Sequence, residues 1–343
     1  MGEFDLIRRY FTRPTPNAVL GVGDDCALLR LGPGMQMAIS TDMLVADRHF
    51  FADVDPRTLG HKALAVNLSD LAACGARPLA FTLALSLPDA NPDWLHAFSQ
   101  GLLALADAHD CELVGGDTTR GPLNICITVF GEVPAGAAAG AAARAARPAT
   151  QALLRGGAQA GDDLYVSGTL GDARLALEAL QGRLALPDAV LASARQRLEC
   201  PTPRVALGMA LRGIASAAAD ISDGLLGDLG HILERSAVGA TVDTHIAIEL
   251  LAAYVDLTRA RSLFDQQLLR ETALRCVLGG GDDYELVFTA PVAQRAAVQG
   301  ASIASATPLT RIGKIDAEPG LRLVDAQGAT VLNTFASFDH FNP

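Results

Sequence analysis

Hydrophobic and polar positions follow two periods along the chain, and together they predict a mixed α/β protein. In the first part, a helical pattern over residues 56–76 follows Asp55 as the N-cap and Pro56 at the first helical position. A second helix is predicted over residues 92–109, with Asn91 as its N-cap. We also predict a short amphipathic helix at residues 4–11 and strands at residues 35–41, 79–87, 111–114 and 123–133.

The second half of the chain has the same mixture of periods. Strands are predicted at residues 163–167, 217–220, 240–243 and 284–289, and helices at residues 172–180, 188–199, 203–211, 223–235 and 291–299. Between the halves, residues 135–149 consist almost entirely of Ala and Gly and have no periodic apolar face. We therefore expect domains at residues 1–134 and 153–343, joined by an Ala-rich insert or linker at residues 135–152.

The composition argues against several classes of function. A chain of 343 residues is too long for one compact core, and 27 Lys and Arg against 38 Asp and Glu give a net charge of −11. This charge disfavours a broad electrostatic contact with nucleic acid or an anionic membrane. Lys62 and Lys314 are the only lysines, so the chain has neither a phosphate-binding P-loop nor a protein-kinase catalytic loop.

The six cysteines are scattered without any Cys-x-x-Cys pair, which is typical of reduced, mostly buried thiols. The first residues lack the apolar run of a signal peptide, and charged residues interrupt every long apolar stretch. We expect a cytoplasmic protein.

Several aspartates occur beside Gly, Ser or Thr at the predicted ends of strands or helices, where a purely solvated role is less typical. They are Asp24, Asp25, Asp42, Asp70, Asp117, Asp220 and Asp223. Asp70 is the most informative, because it lies within an apolar helical segment where an unpaired carboxylate would cost several kcal/mol. Its partner is either an Arg from another segment or a divalent cation, and the other isolated aspartates favour the cation.

Clustered carboxylates and hydroxyls without His or Cys ligands are typical of a Mg²⁺ or Mn²⁺ site. Glycines at residues 115–116, 156–157 and 279–281 would permit close approach of phosphates to the backbone. The residues by themselves therefore indicate a Mg²⁺-dependent enzyme of phosphate transfer or hydrolysis.

These segments also resemble one known family, the thiamine-monophosphate kinases, over nearly the whole chain apart from the Ala-rich insert. The resemblance rests on the motifs Gly-Glu-Phe-Asp-Leu-Ile at residues 2–7, Gly-Val-Gly-Asp-Asp-Cys-Ala at 21–27, Ile-Ser-Thr-Asp at 39–42 and the segment at 62–73. It continues with Gly-Gly-Asp-Thr-Thr-Arg-Gly at 115–121, Asp-Ile-Ser-Asp-Gly-Leu at 220–225, Asp-Tyr-Glu-Leu at 283–286 and Asp-His-Phe at 339–341. The order of the motifs is specific, although some single motifs are shared across the aminoimidazole ribonucleotide synthetase-like superfamily.

The resemblance implies the two-domain aminoimidazole ribonucleotide synthetase-like fold. The amino-terminal domain would bind ATP and Mg²⁺ and form a homodimer in which its sheet is completed by the partner, and the carboxy-terminal domain would be α/β. ATP and several Mg²⁺ ions would lie between the domains. The implied reaction transfers the γ-phosphoryl group of ATP directly to thiamine monophosphate, giving thiamine diphosphate and ADP.

The resemblance also assigns roles to residues. The implied metal ligands are Asp25, Ser40, Thr41, Asp42, Asp70, Asp117, Asp220 and Asp223; the implied ATP contacts are Gly116, Asp117, Arg155 and Ser222; and the implied thiamine monophosphate contacts are His49, Asp282 and Phe335. Asp282 stands where the family usually has Glu, and Phe335 where it often has Trp. No side-chain base is required, because a phosphate monoester is largely dianionic at pH 7.

Four alternatives remain open from the sequence. His49 could form a phosphohistidine intermediate. The chain could be a related ATP-dependent synthetase with another acceptor. A Mg²⁺ phosphohydrolase could use residues 220–224 as a nucleophile loop, and a nucleotide sensor would bind ATP without turnover.

Overall fold

The chain divides into two compact units. Unit 1 comprises Met1–Leu71 and Ala76–Ala152, and unit 2 comprises Ala72–Gly75 and Leu153–Pro343. The structure, a computed structural model, describes residues 2–136, 150–253, 263–335 and 337–338, with the side chains of residues 263–268 excluded. The predicted mixed α/β class is confirmed. Most of the Ala-rich segment and the motif at residues 339–341 lie outside the described residues, and the predicted domain limits stay a prediction.

Unit 1 contains one four-stranded sheet with the order β1-β4-β2-β3. Its elements are α1 (Glu3–Leu6), continued by a π-helical turn (Ile7–Phe11), β1 (Met35–Val45), α2 (Pro56–Ala73), β2 (Arg77–Leu87), α3 (Pro92–Ala108), β3 (Glu112–Arg120) and β4 (Asn124–Pro134). β2 and β3 are parallel, whereas β4 is antiparallel to both β1 and β2. Burial alternates along β4, as expected for a sheet covered on one face.

The two predicted helix starts in unit 1 are confirmed by their caps. Asp55 Oδ1 accepts a hydrogen bond of 2.9 Å from the Arg57 N–H, before Pro56 opens α2. Asn91 Oδ1 accepts from the backbone N–H groups of Asp93 and Trp94 at 2.9 and 3.2 Å. These bonds satisfy donors that the first turn of a helix leaves without an intrahelical acceptor.

Two strands of unit 1 are longer than predicted. The strand predicted at residues 111–114 continues as β3 to Arg120, because residues 115–120 pair with β2 beyond an irregularity between Phe81 and Thr82. β1 continues to Val45, so Asp42 lies inside the strand rather than at its end. The β3 extension begins with Gly-Gly-Asp, residues whose β propensity is low until a neighbouring strand supplies the pairing.

Unit 2 contains a seven-stranded mixed sheet with the order β11-β10-β7-β9-β5-β8-β6. Its strands are β5 (Asp163–Ser167), β6 (Ala217–Ile221), β7 (Gly239–Asp243), β8 (Glu285–Ala290), β9 (Leu309–Asp316), β10 (Gly320–Val324) and β11 (Thr330–Val331). Its helices are α4 (Asp172–Leu180), α5 (Asp188–Glu199), α6 (Val205–Ala210), α7 (Leu225–Ser236), α8 (Thr244–Ile248), α9 (Leu263–Gly279) and α10 (Arg295–Ala304). Every residue of β5, β6 and β8 is buried, which explains their continuous apolar runs.

The sequence reasoning missed α8, α9 and the strands after residue 299. β9 and β10 carry charged residues at positions that face solvent, which obscures the apolar pattern of a strand. The helix predicted at residues 291–299 instead begins as α10 at Arg295, after a 3₁₀ turn (Val292–Gln294). Within the described ranges, no helix is long and apolar enough to cross a bilayer.

An ion-pair cluster at the start of β5 predicts a pH dependence of stability. Asp163 is 3% exposed and accepts hydrogen bonds of 2.6 and 2.8 Å from Arg295 and of 3.1 Å from Arg311. The Arg295 hydrogen bond is the main cause that lowers the Asp163 pKa to about 2, against the opposing effect of burial. Asp163→Asn should therefore lower the free energy of unfolding at pH 7 by up to about 2 kcal/mol.

The direction of the Asp163 pKa shift determines the pH range in which the ion pairs stabilise the fold. Because folding lowers the Asp163 pKa from the ordinary value of 3.8, the stabilisation is complete above pH ~4 and is lost as pH falls toward about 2. Urea unfolding of both proteins at pH 7, 5 and 3 checks this. Equal stability differences between the two proteins at pH 7 and pH 3 would contradict the assignment.

Candidate active site

A cavity of about 620 Å³ in unit 1 brings together three of the predicted site residues. Asp25, Gly116 and Asp117 all line it, with Glu3 of α1 on another part of the wall. The Asp25 N–H donates to Asp24 Oδ1 at 2.9 Å, which fixes the loop before the carboxylate. The loop and the middle of β3 therefore place three aspartates, Asp24, Asp25 and Asp117, on the wall of one cavity.

Gly116 places Asp117 on this wall through backbone geometry. Its φ is 149°, and a Cβ at this position would lie 1.9 Å from the Leu83 carbonyl oxygen of β2. Only glycine lets β3 continue beside β2 at this irregularity. The glycine that the sequence reasoning explained by phosphate approach is thus also required for strand pairing.

A second group of predicted metal ligands lies where β1 faces α2. The Ser40 hydroxyl donates a short hydrogen bond to Asp70 Oδ2. The Asp42 N–H donates to Asn67 Oδ1 at 3.0 Å, three residues before Asp70 on α2. Asn67 and Asp70 share one helix face, so β1 and α2 hold Ser40, Asp42 and Asp70 in one neighbourhood.

The Thr41 side chain does not join this group. Alternate side chains of a strand point to opposite faces, so Thr41 faces away from Ser40 and Asp42. Its hydroxyl lies 2.8 Å from the Thr128 hydroxyl of β4 instead. The predicted metal role of Thr41 therefore depends on the resemblance alone.

His49 lies in the turn that follows β1. Its Nδ1 accepts a hydrogen bond of 3.0 Å from the Val45 N–H. A neutral imidazole that accepts at Nδ1 carries its proton on Nε2. In that tautomer the Nδ1 lone pair of His49 is occupied and Nε2 is a hydrogen-bond donor.

In unit 2, the predicted residues Asp220, Ser222 and Asp223 lie at the end of β6 and in the following loop. Asp220 is 5% exposed at the penultimate position of the strand. The backbone N–H groups of Ser222, Asp223 and Gly224 all donate to Asp228 Oδ2, at 3.0, 3.1 and 3.2 Å. Burial raises the pKa of Asp228 to about 7. Asp228 was missed in the sequence, where the only signal is an aspartate four residues after Gly224, in the first turn of α7.

The loop before β8 contacts this same segment and brings Asp282 to Ser222. The Asp282 N–H donates to the Ser222 carbonyl at 2.9 Å, and the Tyr284 N–H donates to the Ile221 carbonyl at 2.9 Å. A Cβ on Gly281 would lie 2.4 Å from the Ser222 carbonyl oxygen, so this approach requires glycine. A predicted thiamine monophosphate contact and a predicted ATP contact are therefore adjacent in unit 2.

Phe335 and Arg155 occupy different surroundings. Phe335 packs against the hydrophobic core of unit 2, and its segment returns to the loop, where the Phe338 N–H donates to the Asp223 carbonyl at 3.0 Å. The Arg155 carbonyl instead accepts from Ser236 Oγ at 3.3 Å, at the last residue of α7. Ser222 precedes that helix, whose 12 residues extend about 18 Å. The structure therefore does not bring the Arg155 backbone to Ser222, and the ATP contact of Arg155 stays a prediction.

Comparison with known proteins places these features in a family. The chain matches the family models "AIR synthase related protein, N-terminal domain" over residues 23–133 and "AIR synthase related protein, C-terminal domain" over residues 159–326. It is 45% identical to the thiamine-monophosphate kinase of Salmonella typhimurium over 345 residues, covering 99% of this chain and 98% of the relative. The chain belongs to the thiamine-monophosphate kinase family.

Solved structures of thiamine-monophosphate kinases have the same fold. The crystal structure from Stenotrophomonas maltophilia is 44% identical, with a TM-score of 0.78 and 96% of both chains covered. A structure described as "AaThiL complexed with AMPPCP and TMP" is 26% identical, with a TM-score of 0.72 over 98% of this chain and 96% of that one. That relative was therefore solved with AMPPCP and TMP bound.

The family motif at residues 283–286 has a structural role in this thiamine-monophosphate kinase family member. Asp283 is fully buried, which raises its pKa, and it accepts from the Gly171 N–H at 2.9 Å. The Glu285 carboxylate, also fully buried, accepts from Arg197 at 2.8 Å and from Arg204 at 2.6 Å. These bonds compensate the buried charge of Glu285 and anchor β8 beside the Asp282 loop.

Proposed function

We propose that this chain phosphorylates thiamine monophosphate with ATP, giving thiamine diphosphate and ADP. The observation that carries the proposal is the 45% identity to a thiamine-monophosphate kinase across 99% of the chain. The unit 1 cavity lined by Asp25, Gly116 and Asp117 supports it, because the family resemblance implies ATP or metal contacts at these three positions. Chromatographic detection of thiamine diphosphate formed from thiamine monophosphate and ATP tests the proposal.

Mg²⁺ fits the residues present. The predicted ligands offer only oxygen donors, which Mg²⁺ prefers, and it commonly binds through one or two carboxylates together with substrate phosphates. Among the residues that the structure describes, no three His, Cys, Asp or Glu side chains form a group that could hold a metal ion without such phosphates. In unit 1 the ligands would be Asp25, Ser40, Asp42, Asp70 and Asp117, with Thr41 resting on the resemblance alone, and in unit 2 Asp220 and Asp223.

The chain's own residues would act by binding and positioning. The bound Mg²⁺ would supply neutralisation of phosphate charge. A phosphate oxygen of thiamine monophosphate attacks the γ-phosphorus of ATP, the bond from that phosphorus to the β–γ bridging oxygen breaks, and ADP leaves. The attacking oxygen carries no proton in the dianion, so no general base is required. His49 would orient the acceptor as a donor through Nε2–H. The resemblance implies Asp282 and Phe335 as the other contacts of the acceptor.

Direct transfer predicts that no phosphorylated enzyme forms. Incubation with γ-labelled ATP and Mg²⁺, without acceptor, should leave less than ~1% of the chain labelled after quenching in alkali, because the His49 Nδ1 lone pair is occupied by the Val45 N–H. Labelled protein that transfers its label to added thiamine monophosphate would instead establish a phosphohistidine route. His49→Gln, which keeps a donor, distinguishes the site of any label.

We further propose that unit 1 forms a homodimer through the uncovered face of β1. Met37, Ile39 and Met43 lie on that face and are 39%, 60% and 52% exposed. β1 is also an edge strand of the sheet. An apolar row beside an open strand edge is an unfavourable surface for a monomer in water. A second copy of this chain would cover it, as the family resemblance implies.

Ile39→Glu should therefore convert the dimer to a monomer at micromolar concentration, since it buries a charge in the proposed interface. Sedimentation velocity measures the change. Ile303→Glu is the matched control, because Ile303 is 72% exposed on α10 of unit 2. Equal sedimentation of the parent and both variants would contradict the assigned face.

A further inference from the structure

We infer that Asp228 is a positioning residue that holds the loop at residues 222–224, and so orients the Ser222 hydroxyl and the Asp223 carboxylate toward ATP and its metal. The inference rests on the proposed function, since it concerns the same site. Asp228 would act through its hydrogen bonds to the backbone of the loop.

The loop is held from both sides. On one side, a single Asp228 oxygen, Oδ2, accepts from three consecutive backbone N–H groups, at residues 222, 223 and 224. On the other side, the Ser222 carbonyl accepts from the Asp282 N–H at 2.9 Å. Asp228 is 3% exposed, so water cannot readily replace its carboxylate as the acceptor.

This arrangement differs from an ordinary helix cap. A cap residue normally precedes the helix and satisfies donors of its first turn, but the N-cap of α7 is Gly224, which has no side chain. Asp228 lies within the helix and accepts instead from the N–H of the cap residue Gly224 and from the two N–H groups that precede it. The three N–H groups are thereby occupied and cannot bind a ligand phosphate. The loop is left to contact the nucleotide and its metal through the side chains of Ser222 and Asp223.

The acceptor oxygen is the feature that positions the loop. Asp228→Asn keeps an oxygen at the same distance from the backbone, whereas Asp228→Ala leaves three N–H groups without their acceptor. Loss of the acceptor allows the loop to shift, and a displacement of about 1 Å at a catalytic site costs on the order of 100-fold in rate.

The experiment compares Asp228→Ala and Asp228→Asn in the full chain. Asp243→Ala is the matched control, because Asp243 also accepts from two backbone N–H groups, at 2.8 and 3.2 Å, where α8 begins. Three quantities are measured for each protein: kcat/KM for ATP, the Tm, and amide hydrogen exchange at residues 222–224 in the absence of nucleotide and metal.

For Asp228→Ala we expect kcat/KM for ATP to fall about 100-fold and exchange at residues 222–224 to accelerate at least about tenfold. Asp228→Asn should stay within about tenfold of the parent in kcat/KM and about threefold in exchange. Asp243→Ala should lower the Tm while leaving both loop quantities unchanged. If Asp228→Ala does not fold, Asp228→Glu replaces it, and we expect the displaced carboxylate to impair kcat/KM more than Asn does.

Three results would overturn the inference. Asn could be as damaging as Ala, which would assign the role to negative charge. Asp243→Ala could lower kcat/KM to the same extent, which would reduce the effect to general stability. Exchange at residues 222–224 could be unchanged in Asp228→Ala. Should the unsubstituted chain not phosphorylate thiamine monophosphate, the proposed function fails, and the exchange data still decide whether Asp228 holds the loop.

Discussion

Asp70→Asn should lower kcat/KM for thiamine monophosphate phosphorylation at least about 100-fold, the magnitude typical of losing one preorganised electrostatic group. The Asn side chain keeps an oxygen that can accept the Ser40 hydrogen bond seen at Asp70 Oδ2. The fold should therefore be retained, with a Tm within about 3 °C of the parent, a shift that corresponds to about 1 kcal/mol. What the substitution removes is the negative charge that would attract Mg²⁺.

Steady-state kinetics and thermal unfolding measured on the same preparation check this expectation. Asp110→Asn provides the control, because Asp110 is exposed and has a φ of 50°, a conformation that Asn adopts readily. The control should retain full turnover. Near-parent turnover of Asp70→Asn would remove Asp70 from the metal set, whereas inactivity with a large fall in Tm would show that Asp70 serves the fold.

Removing divalent cations should abolish ADP formation, a loss of at least about 1,000-fold, because the reaction brings the γ-phosphoryl group of ATP and a dianionic acceptor together. Excess Mg²⁺ added after the chelator should restore turnover. The Tm of the chain without nucleotide should change little, since the described residues contain no group of three His, Cys, Asp or Glu side chains that could hold a metal ion.

Turnover and Tm, measured with and without EDTA, distinguish a catalytic metal ion from a structural one. Turnover that persists in EDTA would contradict the Mg²⁺ assignment. A large fall in Tm caused by EDTA without nucleotide would instead indicate a structural ion. Differential scanning calorimetry and the ADP assay on one dialysed sample distinguish these outcomes.

The elements best predicted from the sequence are those with local signals. Asp55 with Pro56, and Asn91, mark helix starts that depend only on neighbouring donors, and both were found. β3 was cut short because residues 115–120 become a strand only by pairing with β2. The sequence of residues 115–120 carries no information about its pairing with β2, so this part of β3 could not be predicted from the segment itself.

The candidate site likewise contains residues that local motifs identify and residues whose contacts depend on the fold. Asp25, Gly116 and Asp117 were recognised from their motifs, and they do line one cavity. Strand alternation separates the Thr41 side chain from those of Ser40 and Asp42, and Asp42 shares the Ser40 face because β1 continues to Val45. Asp228 acts on backbone N–H groups of residues 222–224, and no side-chain motif records such a contact.

The central claim is that thiamine monophosphate accepts the phosphoryl group. The most direct test is ADP formation from ATP and Mg²⁺ with thiamine monophosphate, with free thiamine, and without acceptor. We expect ADP only with the monophosphate, in a 1:1 ratio to thiamine diphosphate. Equal ADP release without acceptor would contradict the claim and indicate a phosphohydrolase, and ATP binding with no ADP in any sample would indicate a nucleotide sensor or a synthetase with another acceptor.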